Sequence, residues 1–192
     1  MQFDEMGNRS GKTLMLLPGT ACDYQTNFAT VLDRLGGKYH LICVNYDGFD
    51  GSGTIFPDII TVTEKIEKYI KKNYSGKIDG AIGSSLGSTF VGQLIQRENI
   101  HIDHGIFGSP DLDQSGKFSA WLQSKLVVPL LTSFTRNEKK KAKTREKLKR
   151  YRKYFRDPDI REFDMQHEQW LFGGEQYTAP VLKAIDAFMA SQ

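Results

Sequence analysis

Short apolar runs alternate with amphipathic stretches along most of this chain. Four runs have the length and composition of buried strands: Thr13–Leu17, His40–Asn45, Asp79–Gly83 and His104–Gly108. Apolar residues at helical spacing predict helices at Tyr24–Leu35, at Ile59–Ile70 behind a capping Asp58, at Leu86–Gln96 and at Ala179–Ala190. Strands that alternate with helices predict an α/β fold class with a doubly wound, mainly parallel sheet.

The middle of the chain does not continue this alternation. Gly116–Phe134 has the pattern of an amphipathic lid helix that Pro129 interrupts. The alternative is a sheet strand at Leu126–Phe134, but proline is disfavoured in a central strand. We therefore expect one domain over residues 1–192, with residues 112–156 as a lid-like or irregular insertion. The lid would be reduced or partly missing.

Composition and charge describe an ordinary globular chain with one unusual segment. Of the 192 residues, 39% are hydrophobic and 26% are charged, and no apolar run approaches the length of a membrane span. Residues 136–156 hold 12 of the 26 Lys and Arg residues. This block is either a surface for nucleic acid or anionic membrane, or a solvated helix face. We favour the helix face because no base-reading motif accompanies the charges, and we expect no nucleic-acid or membrane partner.

The most informative motif is Gly83-Ser84-Ser85-Leu86-Gly87, which has the pattern G-x-S-x-G. A strand before it and a helix after it are the setting of a nucleophile elbow, a tight turn that lifts a serine hydroxyl above the sheet. Glycine is needed on either side of Ser85 because such a turn is crowded. The N–H of Leu86 would lie at a helix N-terminus, where it can stabilise an oxyanion. Ser85 is therefore the candidate nucleophile, and a Ser/Gly turn without chemistry is the alternative.

Three further segments, together with this motif, make the chain resemble the α/β-hydrolase superfamily, and more narrowly its small bacterial serine hydrolases. The segments are LLPGTAC at Leu16–Cys22, NYDGFDG at Asn45–Gly51 and MQHE at Met165–Glu168. The resemblance covers residues 13–110 and 157–190. It implies an α/β-hydrolase sheet, a serine nucleophile at Ser85 and a lid where residues 112–156 lie.

The resemblance also implies which groups hold the oxyanion. In the family, the loop after the first core strand usually reads His-Gly, and the residue that follows donates an N–H group. Here Pro18 replaces the His, Gly19 is kept and Thr20 takes the donor position. We expect the N–H groups of Thr20 and Leu86 to form the oxyanion hole, whereas a plain turn after the strand is the alternative.

A general base is expected late in the chain, and the family places its histidine just before the last helix. His167 stands there. The other histidines, His40, His101 and His104, lie near the starts of predicted parallel strands, away from the sheet edge that carries the elbow. A neutral imidazole at His167 would take the proton of Ser85 and later return it. The alternative for His167 is a polar loop residue.

The acid of the triad is the least constrained residue. Family members often place it in a Gly-x-x-Asp turn after the penultimate strand, and the sequence shows no such turn. If Leu126–Phe134 is that strand, the acid is Glu138. If that segment is lid, Asp111 or Asp113 follows the preceding strand. We favour Asp111, whose task would be to orient His167 and to stabilise its imidazolium form.

The sequence thus predicts a serine hydrolase that cleaves a carboxylic ester, a thioester or a related acyl bond of a small molecule. The rival hypothesis is a non-catalytic binding protein of α/β-hydrolase fold that keeps the pocket without turnover. No cofactor is implied, and no His and Cys residues have the spacing of a zinc or other metal site. A polar N-terminal segment without an apolar core, and two cysteines that make no disulfide framework, predict a cytoplasmic protein.

Overall fold

The computed structural model of this chain describes residues 1–108 and 168–191. They form five strands: β1 (Gln2–Gly7), β2 (Thr13–Leu17), β3 (His40–Asn45), β4 (Lys77–Ser84) and β5 (His101–Gly108). They also form six helices: α1 (Tyr24–Asn27), α2 (Leu32–Gly36), α3 (Ile59–Tyr74), α4 (Leu86–Arg97), α5 (Gln169–Phe172) and α6 (Glu175–Ala190). In this part of the chain no helix combines the length and the apolar character needed to span a membrane.

The five strands form one sheet in the order β1-β3-β2-β4-β5. The strands β3, β2, β4 and β5 run parallel, and β1 pairs antiparallel with β3. Parallel neighbours cannot be joined by a hairpin, and helices follow β2, β3 and β4 along the chain. The α/β fold class with a mainly parallel sheet, predicted from the alternation of strands and helices, is confirmed.

Apolar layers cover both faces of the sheet. Side chains alternate between the faces along a strand, so Leu14 and Leu16 of β2 enter one layer while Met15 and Leu17 enter the other. The first layer packs against α1, α2, α5 and α6, and the second packs against α3 and α4. Because the central strands are buried on both faces, they read in the sequence as continuous apolar runs.

The edge strand β1 was not predicted, because its sequence carries no apolar signal. Its residues QFDEMG are mostly exposed, and it is held through backbone pairing from Gln2 opposite Asn45 to Gly7 opposite His40. One side-chain cluster reinforces the pairing: the carboxylate of Glu5 accepts hydrogen bonds from the hydroxyls of two tyrosines of α3. A polar edge strand of this kind also discourages pairing with other chains.

The helices follow the predicted pattern, except that one predicted helix is divided into two and the last helix begins earlier. Asp58 caps α3 as expected, its carboxylate accepting the backbone N–H of Thr61 at 2.9 Å. The segment predicted as one helix at Tyr24–Leu35 is two short helices, because the backbone leaves helical geometry after Asn27. The last helix begins four residues before the predicted Ala179, and Pro180 lies inside it.

Several expectations lie outside the described residues and stay predictions. They include the insertion over residues 112–156 and the two interpretations of Leu126–Phe134 within it. The three candidate acids Asp111, Asp113 and Glu138 and the candidate base His167 also belong to the undescribed part of the chain.

Candidate active site

Ser85 makes the whole connection between β4 and α4, because β4 ends at Ser84 and α4 begins at Leu86. Its backbone has φ 48° and ψ −110°, outside the left-handed helical region where non-glycine residues of positive φ usually lie. Such conformations cost about 1–3 kcal/mol and persist where the surrounding structure enforces them. The Ser85 side chain is half-buried at the sheet edge. This is the strand–turn–helix setting that the motif predicts.

Two glycines let the chain make this turn. A methyl group on Gly83 would lie 2.3 Å from the backbone of Gly87, and a methyl group on Gly87 would lie 1.9 Å from the carbonyl oxygen of Leu17. Neither neighbour can move aside, since both are backbone atoms of packed elements. The missing side chains therefore allow α4 to start directly against the end of β2.

The end of β5 fixes the elbow from the other side. The carbonyl oxygen of Gly108 accepts the backbone N–H of Ser85 at 2.9 Å. The hydroxyl of Ser88, which is fully buried, lies 2.7 Å from the carbonyl oxygen of Gly83 and 3.0 Å from that of Gly108. The backbone of the turn is thus tied to two neighbouring strands, which holds Ser85 in its uncommon conformation.

The segments that carry the two expected oxyanion donors follow neighbouring strands, because β2 pairs with β4 and Leu17 lies opposite Gly83. A methyl group on Gly19 would lie 3.6 Å from Cβ of Ser85, so the loop that carries Thr20 packs against the elbow. Leu86 is the first residue of α4, where backbone N–H groups lack partners in the helix and the helix dipole favours negative charge. Within the residues that the structure describes, no backbone carbonyl accepts the N–H of Thr20 or Leu86.

Two buried side chains hold the loop before Thr20. The side-chain oxygen of Asn27 accepts the backbone N–H of Gly19 at 3.0 Å, and the hydroxyl of Tyr46 lies 3.3 Å from the carbonyl oxygen of Pro18. Asn27 and Tyr46 are both fully buried. The sequence motifs assign neither residue a role, although an asparagine on the apolar face of a predicted helix, as Asn27 is, signals a buried polar contact.

The segment after position 167 also reaches the elbow. The hydroxyl of Ser84 donates a hydrogen bond to the carboxylate of Glu168, one oxygen of which would lie 3.3 Å from a methyl group on Gly19. The indole N–H of Trp170 would lie 3.4 Å from a methyl group on Gly108. Sequence reasoning did not assign Glu168 a role at the site. Its backbone has φ 55°, which few non-glycine residues adopt.

The three other histidines lie away from Ser85, as their positions in the sequence predicted. His40 faces the carboxylate of Glu5 at 3.4 Å, and His101 contacts Asp103 at 2.9 Å. His104 lies in the middle of β5 and not at its start, because the strand begins three residues earlier than predicted. Its ring nitrogens lie 3.0 Å and 3.1 Å from the carbonyl oxygens of Asp79 and Ser191.

The described part of the site is acidic and partly desolvated. Burial raises the pKa of the Cys22 thiol, and the nearby carboxylates of Glu168 and Asp23 raise it further. Complete burial raises the pKa of Tyr46 far above its ordinary value, so its hydroxyl remains a donor at neutral pH. Among residues 1–108 and 168–191, no three His, Cys, Asp or Glu side chains are grouped to hold a metal ion.

No protein-family model matches the chain, and no curated protein matches its sequence. Solved structures do resemble it. A protein of the alpha/beta hydrolase family from Desulfitobacterium hafniense superposes with a TM-score of 0.60 at 17% identity, over 71% of this chain and 56% of that one. An esterase from a marine microorganism superposes with a TM-score of 0.55 at 18% identity, over 81% of this chain and 59% of that one. MenH from S. aureus superposes with a TM-score of 0.52 at 17% identity, over 65% of this chain and 48% of that one.

These likenesses show that the described part of the chain has the α/β-hydrolase fold, which confirms the fold that the motifs implied. The first of these proteins is described as a member of the alpha/beta hydrolase family and the second as an esterase. This chain spans about half to three fifths of the length of these three proteins.

Proposed function

We propose that this protein is a serine hydrolase that cleaves a carboxylic ester, a thioester or a related acyl bond of a small molecule. The observation that carries the proposal is the backbone of Ser85, held at φ 48° and ψ −110° between a parallel strand and a helix. A strained residue that two glycines and two neighbouring strands enforce is typical of a functional position. The α/β-hydrolase fold supports the same conclusion by analogy.

In the proposed reaction the oxygen of Ser85 attacks the carbonyl carbon of the substrate. His167 takes the hydroxyl proton and returns it to the leaving alcohol or thiol, and water then hydrolyses the acyl-enzyme with the same histidine as base. The N–H groups of Leu86 and Thr20 stabilise the negative charge on the carbonyl oxygen in the transition state. The site needs no cofactor for this chemistry.

The contact between Ser84 and Glu168 supports His167 as the base. Glu168 follows His167 directly in the chain, and its carboxylate lies against the residue that precedes Ser85. Asp111 is the proposed acid, since it follows β5, whose end lies beside the elbow; Asp113 and Glu138 are the alternatives. A carboxylate in that role orients the imidazole and stabilises its charged form.

The test is covalent labelling with a fluorophosphonate probe, followed by mass spectrometry of the peptides. We expect one modified residue, Ser85, and no labelling of Ser85→Ala. Hydrolysis of a short-chain p-nitrophenyl ester should disappear in the same variant. Ser52→Ala, which changes an exposed loop hydroxyl, is the control and should label like the natural protein.

A specific observation favours the rival function, a binding protein without turnover. The carboxylate of Glu168 lies against Gly19, next to the proposed oxyanion donor Thr20. A negative charge at this distance opposes the charge that develops on a substrate oxygen. A folded protein that neither reacts with the fluorophosphonate nor hydrolyses the ester would establish the rival.

A further inference from the structure

One peptide unit of the loop that follows β2 is held at both of its polar atoms. The Pro18–Gly19 peptide presents its carbonyl oxygen to the hydroxyl of Tyr46 at 3.3 Å and its N–H to the side-chain oxygen of Asn27 at 3.0 Å. The two side chains come from different parts of the chain: Tyr46 directly follows β3, and Asn27 is the last residue of α1. Because a peptide unit is planar, fixing both atoms fixes the orientation of the whole plane.

Among the described residues, the Asn27 side chain satisfies the loop peptide but not its own amide nitrogen. The side-chain nitrogen of Asn27 is buried and has no hydrogen-bond partner within the described part of the chain. An unsatisfied buried donor is rare in proteins and destabilises the folded state. Turning the amide over would not help, since the nitrogen would then face the N–H of Gly19. Asn27 therefore acts as an acceptor for this one loop peptide.

We propose that Asn27 and Tyr46 are positioning residues that aim the N–H of Thr20 at the carbonyl oxygen of a substrate bound to Ser85. The inference rests on the proposed function. We call the two hydrogen bonds from Asn27 and Tyr46 to the Pro18–Gly19 peptide the clamp. The peptide that carries the Thr20 N–H directly follows this clamped peptide, and the two are joined at Gly19. Since Gly19 itself packs against Ser85, a rotation of the clamped plane moves the donor relative to the nucleophile.

The clamp compensates for a residue in which this loop differs from the usual family pattern. Pro18 stands where the family usually has a histidine, and proline has no side-chain donor or acceptor with which to hold the loop. The clamp supplies both contacts from outside the loop. Its tyrosine stays protonated at neutral pH because burial raises the pKa of the hydroxyl. The donor is therefore present throughout the pH range in which a histidine base operates.

The first test removes one hydroxyl group. Tyr46→Phe keeps the ring and removes the bond to Pro18. We expect its kcat for a p-nitrophenyl ester and its rate of fluorophosphonate labelling to fall about tenfold, with KM within about twofold, because only transition-state stabilisation is lost. Tyr39→Phe is the control, because it removes another tyrosine hydroxyl bond, a partly buried one to Asp186 at 2.9 Å, at the opposite end of β3. It should keep the full rate.

The second test removes the acceptor. Asn27→Leu should lower both rates about 100-fold, because a donor that is misplaced by about 1 Å loses that much. Asn45→Leu is its control. Asn45 also accepts a backbone N–H through its side chain, that of Tyr24 at 2.9 Å, but at the other end of α1. It separates loss of the clamp from loosening of the helix.

A structural readout completes the design. Hydrogen exchange of the Gly19 amide, followed by NMR, should quicken in Asn27→Leu and not in Asn45→Leu. The proposed role of the clamp is contradicted if Tyr46→Phe and Asn27→Leu react as fast as the natural protein. It is also contradicted if each control variant loses as much rate as the clamp variant with which it is paired. A natural protein that reacts with neither probe refutes the proposed function instead, and with it the role in aiming the donor.

Discussion

The hydroxyl of Ser84 donates a hydrogen bond to the carboxylate of Glu168, which lies 84 residues further along the chain. Ser84 is fully buried at the end of β4, and Glu168 is half-buried before α5. This bond fastens the segment that follows His167 to the residue that precedes Ser85. The two proposed reacting residues are thereby each one position away from a shared contact.

Breaking this contact should weaken the fold. A hydrogen bond to a charged group contributes about 1.5 kcal/mol or more, so we expect Ser84→Ala to lower the free energy of unfolding by about that amount. Glu168→Gln keeps an acceptor and should cost about half as much, because a neutral bond is weaker. Urea denaturation measures both. Ser52→Ala is the control, since its hydroxyl bonds the Asp50 carboxylate in an exposed loop, and a loss equal to that of Ser84→Ala would contradict the prediction.

The strain at Ser85 should be measurable apart from its chemistry. Glycine tolerates a φ of 48° with a ψ of −110°, whereas alanine keeps the Cβ atom that makes this conformation costly. Ser85→Gly should therefore be more stable than Ser85→Ala by about 1 kcal/mol in thermal or urea unfolding. Both variants lack the nucleophile and should be inactive, so the pair separates strain from reactivity. Equal stabilities would mean that the turn is relaxed in solution.

Two glycines of the same helix should respond oppositely to alanine. Gly87→Ala brings a methyl group to 1.9 Å from the Leu17 carbonyl oxygen and should cost about 4 kcal/mol or prevent folding. Gly92→Ala meets only the ring of Phe107 at an ordinary 3.7 Å and should gain about 0.5–1 kcal/mol from the better helix former. Circular dichroism melting curves test both. A tolerated Gly87→Ala would show that α4 does not begin against β2.

Alkylation should report the charge next to the elbow. The pKa of the Cys22 thiol is raised by burial, then by Glu168 and Asp23, so little of it is thiolate at neutral pH and its reaction with iodoacetamide should be slow. Glu168→Gln removes one negative charge, lowers this pKa and should speed alkylation at pH 8. A remote Glu64→Gln should not. Cys43, whose pKa burial raises to about 12, should stay unmodified in the folded protein.

Kinetics should identify the residues of the proposed triad. His167→Ala should lower kcat by several orders of magnitude, because nucleophile and base act as a unit. An acid that sets the histidine tautomer is worth about 10⁴ in kcat, so Asp111→Asn should show a loss of that size. Asp113→Asn and Glu138→Gln should then retain most of the activity. A full loss in Glu138→Gln alone would instead favour Leu126–Phe134 as a strand.

The central sheet could be predicted because strands that are buried on both faces appear in the sequence as continuous apolar runs. The strands β2 and β3 were placed at their observed bounds, Thr13–Leu17 and His40–Asn45, since both faces of each strand are apolar. The strands β4 and β5 begin earlier than predicted, because each starts with an exposed polar residue, Lys77 or His101, that interrupts the apolar pattern. The edge strand β1 is not predicted because its residues are mostly exposed. Backbone pairing with β3 holds it, and backbone pairing requires no particular residue type.

The candidate site could be predicted only where its chemistry follows a local pattern. The glycines around Ser85 are adjacent in sequence, so the turn that they permit was readable. Asn27, Tyr46 and Glu168 act through contacts with residues distant in the chain, and no spacing rule connects them to the elbow. Such tertiary contacts become visible only when the fold brings the elements together. The roles of Ser85, Thr20 and Leu86 in catalysis stay predictions until labelling tests them.

The clamp on the Pro18–Gly19 peptide has a consequence for protein engineering. Asn27 and Tyr46 hold the peptide unit that precedes Thr20, whereas the side chain of Thr20 itself is exposed. Position 20 is therefore the place to vary when a library is built to change substrate preference at this site. Ala21 is a poorer choice, since its φ of 58° restricts the residues that it accepts.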